Sequence, residues 1–148
     1  LSSNKQNAVS AINNLSISTT TVENTNIINA LSVSEDQLLN SKLWRESKKI
    51  IVLLTDGVPN LPKVLNVPNY PVTGAQALAS NINSENVSIY TVGLGKNVSD
   101  AFLKSISADD LHYLKAPNKE TLANVYSQIS SNLCVRKPNV ITVIYRAI

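Results

Sequence analysis

The sequence predicts an α/β fold, a mostly parallel sheet carrying helices, and three observations lead there. Ile50-Ile51-Val52-Leu53-Leu54 is apolar at every position, as a central parallel strand buried on both faces must be. Helical and strand-like periods alternate along the chain, the pattern of parallel strands joined by crossover helices. The two clearest strands close on turn signals, Thr55-Asp56-Gly57 and Gly93-Leu94-Gly95.

In chain order, Ala8, Ala11, Ile12 and Leu15 form a first helical face, and a polar stretch from Ser16 to Asn24 interrupts it. Ile27, Ile28, Leu31, Leu38 and Leu39 mark a second helix with Thr25 at its start. Ser41 to Lys49 is a charged connection holding the only tryptophan, Trp44. After the strand 50–54, prolines 59, 62, 68 and 71 mark a long loop over residues 58–73, a length usually reserved for function. Thr73 is a candidate N-cap for a helix with Ala75, Leu78, Ala79 and Ile82 inward. Val87 to Val92 is a strand. Ser99 or Asn97 then caps a short helix carrying Phe102, Leu103 and Ile106. Leu111 to Leu114 is a short strand. Pro117-Asn118 opens the last helix, residues 119–133, with Leu122, Val125, Ile129 and Leu133 on one face. Val140 to Tyr145, behind Pro138, is one more strand. Only three core strands precede residue 135, whereas four or five helices compete to cover them. A sheet that narrow implies that the front of the domain is missing from this chain.

At 148 residues the chain is long enough to bury one core, and 43% apolar against 16% charged residues excludes wholesale disorder. No apolar run approaches the 18 or so residues of a membrane span. The net charge is +3, but its sign alternates along the chain without a basic face, so nucleic acid is not an expected partner. The 19 Asn and 18 Ser do the solvating that Lys and Glu usually do, which points outside the cell. Sequons at Asn14, Asn86 and Asn97 are candidate glycosylation sites, although an Asn- and Ser-rich chain also produces them by chance. The chain lacks Met and opens polar, Leu1-Ser2-Ser3-Asn4, with no signal-peptide pattern, as a mature product or a fragment does. Its single cysteine, Cys134, points to a bonding partner outside this sequence or to a buried thiol.

Ligands of open α/β sheets bind beyond the carboxyl ends of the strands. Asp56 stands there, and Thr25 can offer a hydroxyl to the same edge. A carboxylate and a hydroxyl are hard oxygen donors suited to Mg²⁺, whereas a Thr-Asp-Gly turn and a helix N-cap are the plainer roles for the same residues. Enzyme chemistry finds little footing. Val98 stands where a dinucleotide loop needs its third glycine after Gly93-Leu94-Gly95. His112, the only histidine, has no nucleophile motif beside it. Asp109-Asp110 is expected in a solvated turn, and Tyr90, Tyr113 and Tyr126 in packing.

Asn24-Thr25-Asn26-Ile27 with Ala30-Leu31, then Lys48 through Asn60 and Val87 through Gly95, resembles a von Willebrand factor A domain over about residues 3–134. The resemblance implies a doubly wound, mostly parallel sheet with helices on both faces. It also implies a metal-ion-dependent adhesion site built from a D-x-S-x-S motif, a threonine and an aspartate. Thr25 and Asp56 match the last two. No D-x-S-x-S occurs in this sequence, and the family's first strand, first helix and next two strands have no counterpart. The resemblance therefore implies a partial domain over 1–134, Mg²⁺ (or Mn²⁺ or Ca²⁺) where the missing motif is supplied, and a disulfide from Cys134 to a missing segment. Residues 135–148 read as an extension, a strand of a following domain or an assembly contact. The implied function is extracellular, non-enzymatic protein–protein adhesion, with a protein ligand or neighbouring subunits as partner. A structural subunit of a surface filament or matrix, without functional metal, is the alternative.

Overall fold

The computed structural model describes residues 4–14, 24–40, 48–134 and 140–147. Their order is α1 (Lys5–Asn13), α2 (Ile27–Leu39), β1 (Lys48–Thr55), α3 (Tyr70–Ser84), β2 (Val87–Leu94), α4 (Asp100–Ile106), a 3-10 turn (Asp110–His112), β3 (Tyr113–Ala116), α5 (Lys119–Cys134) and β4 (Val140–Ala147). The strands form one sheet in the order β3-β2-β1-β4, and every pair is parallel. The expected polar stretch before Asn24 and most of the connection around Trp44 lie outside the described residues.

The apolar run of β1 is buried on both sides because its alternate residues serve two cores. Ile51 and Leu53 join Val87 and Ile89 of β2 under α2, α3 and α4, which contribute Ile27, Leu31, Ala75, Ala79, Ile82, Phe102, Leu103 and Ile106. Ile50, Val52 and Leu54 join Tyr90, Val92 and Ala116 on the other face, where Val125 and Ile129 of α5 close the layer. Helices on both faces of a parallel sheet make the fold doubly wound, as expected.

Several element boundaries differ from the sequence reading. Asn26, not Thr25, caps α2, its side chain accepting from the Asn29 N–H. The third helix starts at Tyr70 with Pro71 in its first turn, so Thr73 lies inside it and its hydroxyl donates back to the Asn69 carbonyl. Ser99, not Asn97, caps α4. Leu111 sits in the 3-10 turn rather than in a strand, because the Asp109 carboxylate accepts from the N–H groups of both Leu111 and His112. The strand expected in the tail is present and pairs with β1 over its whole length, from Lys48 opposite Val140 to Thr55 opposite Ala147.

Candidate functional site

The carboxyl end of β1 delivers Thr55-Asp56-Gly57 to the upper edge of the sheet. Thr55 is fully buried, and its hydroxyl accepts from the Gly57 N–H at 3.3 Å and donates to the Gly57 carbonyl at 3.2 Å. This local turn presents Asp56 at the surface, where it is exposed. Thr25 approaches from the segment before α2. Its N–H donates to Asn60 Oδ1 at 2.8 Å, and its carbonyl accepts from the N–H groups of Asn60 (3.0 Å) and Leu61 (3.2 Å). A clasp of three hydrogen bonds thus ties Thr25 to the loop that follows Asp56. Thr25 itself is only 8% exposed, and its Oγ1 lies 3.2 Å from where a Cβ on Gly57 would stand. The absent side chain at Gly57 is what lets the Thr25 hydroxyl close on this turn.

The structure therefore brings Thr25 to the turn that carries Asp56. It also adds Asn60, whose side chain holds Thr25 across 35 residues. Sequence reasoning gave Asn60 no role, since an asparagine beside Pro59 carries the signal of a turn and nothing more. Among the described residues no group of three or more His, Cys, Asp or Glu side chains converges. Thr25 and Asp56 nevertheless fit a hard divalent cation as part of its shell, because Mg²⁺ keeps several waters and takes only one or two carboxylates from a protein.

The other candidates lie apart from this pair. A Cβ on Gly93 would meet Val98 Cγ2 at 2.9 Å and Leu103 Cδ1 at 3.1 Å, so side chains fill the space a phosphate loop would need. His112 Nδ1 lies 2.6 Å from Asp109 Oδ1, with its ring tilted 56° against buried Tyr90 at 4.2 Å between centroids. The hydrogen bond to His112 holds the Asp109 carboxyl below its usual range, and burial pushes the Tyr90 phenol up against a hydrogen bond from Asn132. Tyr113 donates to Asp100 Oδ1 at 2.8 Å while Lys115 reaches both oxygens of that carboxylate, which ties α4 to β3. Lys115 and then Tyr113 hold the Asp100 carboxyl low. Burial and the bond to Asp100 push the Tyr113 phenol up to about 12. Tyr126, expected in packing, is 39% exposed. Asn14, Asn86 and Asn97 are all exposed, with Asn86 in a left-handed turn at φ 61°. Cys134 is the last residue of α5; as the only cysteine it has no partner for a disulfide within this chain.

A doubly wound parallel sheet, with Thr25 held against the Asp56-Gly57 turn at its carboxyl edge, defines the class. The chain belongs to the von Willebrand factor type A domain family, whose model matches residues 1–128. Five solved chains are similar to it. Among them is proximal thread matrix protein 1 from the mussel byssus, at 22% identity and a TM-score of 0.69. That match covers 91% of this chain and 31% of the neighbour, so this chain spans about a third of that protein's length. No curated protein sequence matches. No helix among the described residues is long and apolar enough to cross a membrane.

Proposed function

We propose that this chain is an extracellular protein-binding module, not an enzyme, that meets a protein ligand or a neighbouring subunit at the upper edge of its sheet. The observation that carries the reading is the clasped pairing of Thr25 with the Asp56-Gly57 turn. Thr25 and Asp56 are the residues that would hold Mg²⁺, Mn²⁺ or Ca²⁺. Such an ion supplies an open coordination position for an acidic side chain of the partner. The chain's own part is to fix the threonine hydroxyl by its backbone clasp and to keep the Asp56 carboxylate at the surface. Calorimetric titration with Mn²⁺ tests the reading: binding that disappears in Asp56→Ala is the expected result. Equal Mn²⁺ binding by wild type and Asp56→Ala, or none by the wild type, refutes it.

A second reading, a structural subunit of an extracellular filament or matrix, draws support from the matrix protein whose fold this chain shares. In that case assembly is indifferent to EDTA and to Asp56→Ala. The exposed sequons Asn14, Asn86 and Asn97 suit either setting, and intact-mass analysis of the secreted protein tests their glycosylation.

A further inference from the structure

The loop between Gly57 and Tyr70 exposes aliphatic side chains that its fold does not use. Val64 and Val67 pair across a tight turn closed by the Val67 N–H donating to the Val64 carbonyl at 3.2 Å. Leu65 and Asn66 form its tip, with Asn66 in the left-handed region at φ 63°. Leu65 is 88% exposed, and Val64 and Val67 are more than 40% exposed beside it. An ordered turn carrying three exposed aliphatic residues is a surface shaped for contact. Its charge is simple as well: Lys63 is the only charged residue between Asp56 and Glu85, and it makes no ion pair among the described residues.

A surface of opposite sign lies elsewhere on the same molecule. Leu111, at 82% exposure, stands out of the 3-10 turn beside exposed Asp110. Asp110 also makes no ion pair among the described residues, whereas its neighbour Asp109 is engaged by His112. The Ala108 N–H donates to the Ile89 carbonyl, and β3 begins only opposite Thr91, so this turn sits along the lower half of the β3 edge. The turn at Leu65 follows the upper end of β1. The two surfaces thus lie on different elements, and each sets an exposed aliphatic residue beside a charge, Lys63 or Asp110, that makes no ion pair among the described residues and is opposite in sign to the other.

We infer that the chain associates head to tail with further copies of itself, the Val64–Val67 turn and Lys63 of one copy docking against Leu111 and Asp110 of the next. A contact between two different surfaces is heterologous, so it propagates rather than closing as a two-fold dimer. The contact is small compared with stable interfaces, so association is weak and grows with concentration. It uses neither Thr25 nor Asp56 and does not rest on the metal reading.

Sedimentation equilibrium of the chain in EDTA, up to about millimolar concentration, tests this. The weight-average mass should climb from the monomer value of 16.0 kDa past that of a dimer. Leu65→Asn and Leu111→Asn should each weaken association. Lys63→Glu and Asp110→Lys should each weaken it at least about fivefold, because each sets like charges against each other. The combined Lys63→Glu/Asp110→Lys chain should recover association, which a general loss of folding would not allow. A mass fixed at the monomer, a mass that stops at the dimer, single variants without effect, or a double variant no better than the singles overturns the inference. So does association that appears only with a divalent ion, which would assign self-contact to the upper edge instead.

Discussion

Replacing Asn60 with alanine removes one bond of the clasp and leaves the other two, because the Asn60 and Leu61 N–H groups still donate to the Thr25 carbonyl. What is lost is the acceptor for the Thr25 N–H, a 2.8 Å bond to a residue only 8% exposed. Leaving a buried donor unpaired costs about 1–3 kcal/mol. The lower half of that range applies, since Asn60 lies at the surface and water can enter where its side chain was. A loss of about 1–2 kcal/mol lowers Tm by roughly 3–8 °C for a domain of this size. Asn60→Asp keeps an acceptor oxygen in place and should recover most of the loss. Urea unfolding at neutral pH measures both variants. If the upper edge holds a divalent ion, a group orienting a ligand in this way is worth about 10–100-fold in metal affinity, read by Mn²⁺ titration. An alanine variant within about 0.3 kcal/mol of wild type, or alanine and aspartate variants of equal stability, refutes the clasp as the device that positions Thr25.

Gly57→Ala places a Cβ 3.2 Å from Thr25 Oγ1. The hydroxyl must give by a few tenths of an ångström, so Mn²⁺ affinity should fall while Tm moves little; unchanged affinity counts against Thr25 as a ligand. Asp100 and Tyr113 set opposite limits on stability with pH. The Asp100 carboxyl is lowered in the folded chain, so its contribution is present above the unfolded value of about 3.9 and is lost as pH falls through the folded one. The Tyr113 phenol is raised to about 12, so its contribution is full below about pH 10 and is lost as pH rises toward 12. Absorbance titration of the phenols should lose a tyrosine titrating at about 12 in Tyr113→Phe, and Asp100→Asn should lower that same titration. Ile27→Ala and Ile129→Ala, on opposite faces of the sheet, should each cost about 2–5 kcal/mol. Only Ile27→Ala, two residues from Thr25, should also weaken Mn²⁺ binding.

The two central strands were legible because both are dominated by buried apolar residues. Ile50 to Leu54 read correctly because a strand covered on both faces is apolar throughout, and Val87 to Val92 because its apolar residues dominate, its one fully buried hydroxyl, Thr91, being satisfied by the Leu103 carbonyl. Helix starts were less legible, because several residues at each start are competent caps and tertiary contacts choose among them. Asn26 takes the cap of α2, and Thr25 turns instead to the loop after Asp56. Pro71 suits a first helical turn as well as it suits a loop, so α3 begins three residues before Thr73. Leu111 to Leu114 reads as a short strand, but one carboxylate from Asp109 captures the N–H groups of Leu111 and His112 and folds that end into a turn. Thr25 and Asp56 could be named from residue type and place. What holds Thr25 against the Asp56-Gly57 turn could not, since it rests on an asparagine side chain and a glycine's missing Cβ, which leave no period in the sequence.

One loop faces two ways, and this follows from how it is anchored. Asn60 and Leu61 point their backbone N–H groups inward to Thr25, and Pro59 between Asp56 and Asn60 is buried. At the other end the Tyr70 N–H donates to the Val67 carbonyl, and Pro71 passes directly into α3. Both ends are therefore fixed to the body of the domain, and only the segment around Leu65 stands free of it. Aliphatic residues on a loosely tethered loop could fold back onto the domain and hide. Here the closed turn at Val64 and Val67 and the fixed ends hold Leu65 outward, so its exposure is built into the loop. Inner and outer residues are correspondingly separable. Changes at Leu65 should leave the Thr25 clasp intact, and changes at Asn60 should leave the Val64–Val67 turn closed. Binding at the upper edge and contact through the turn can then be varied one at a time.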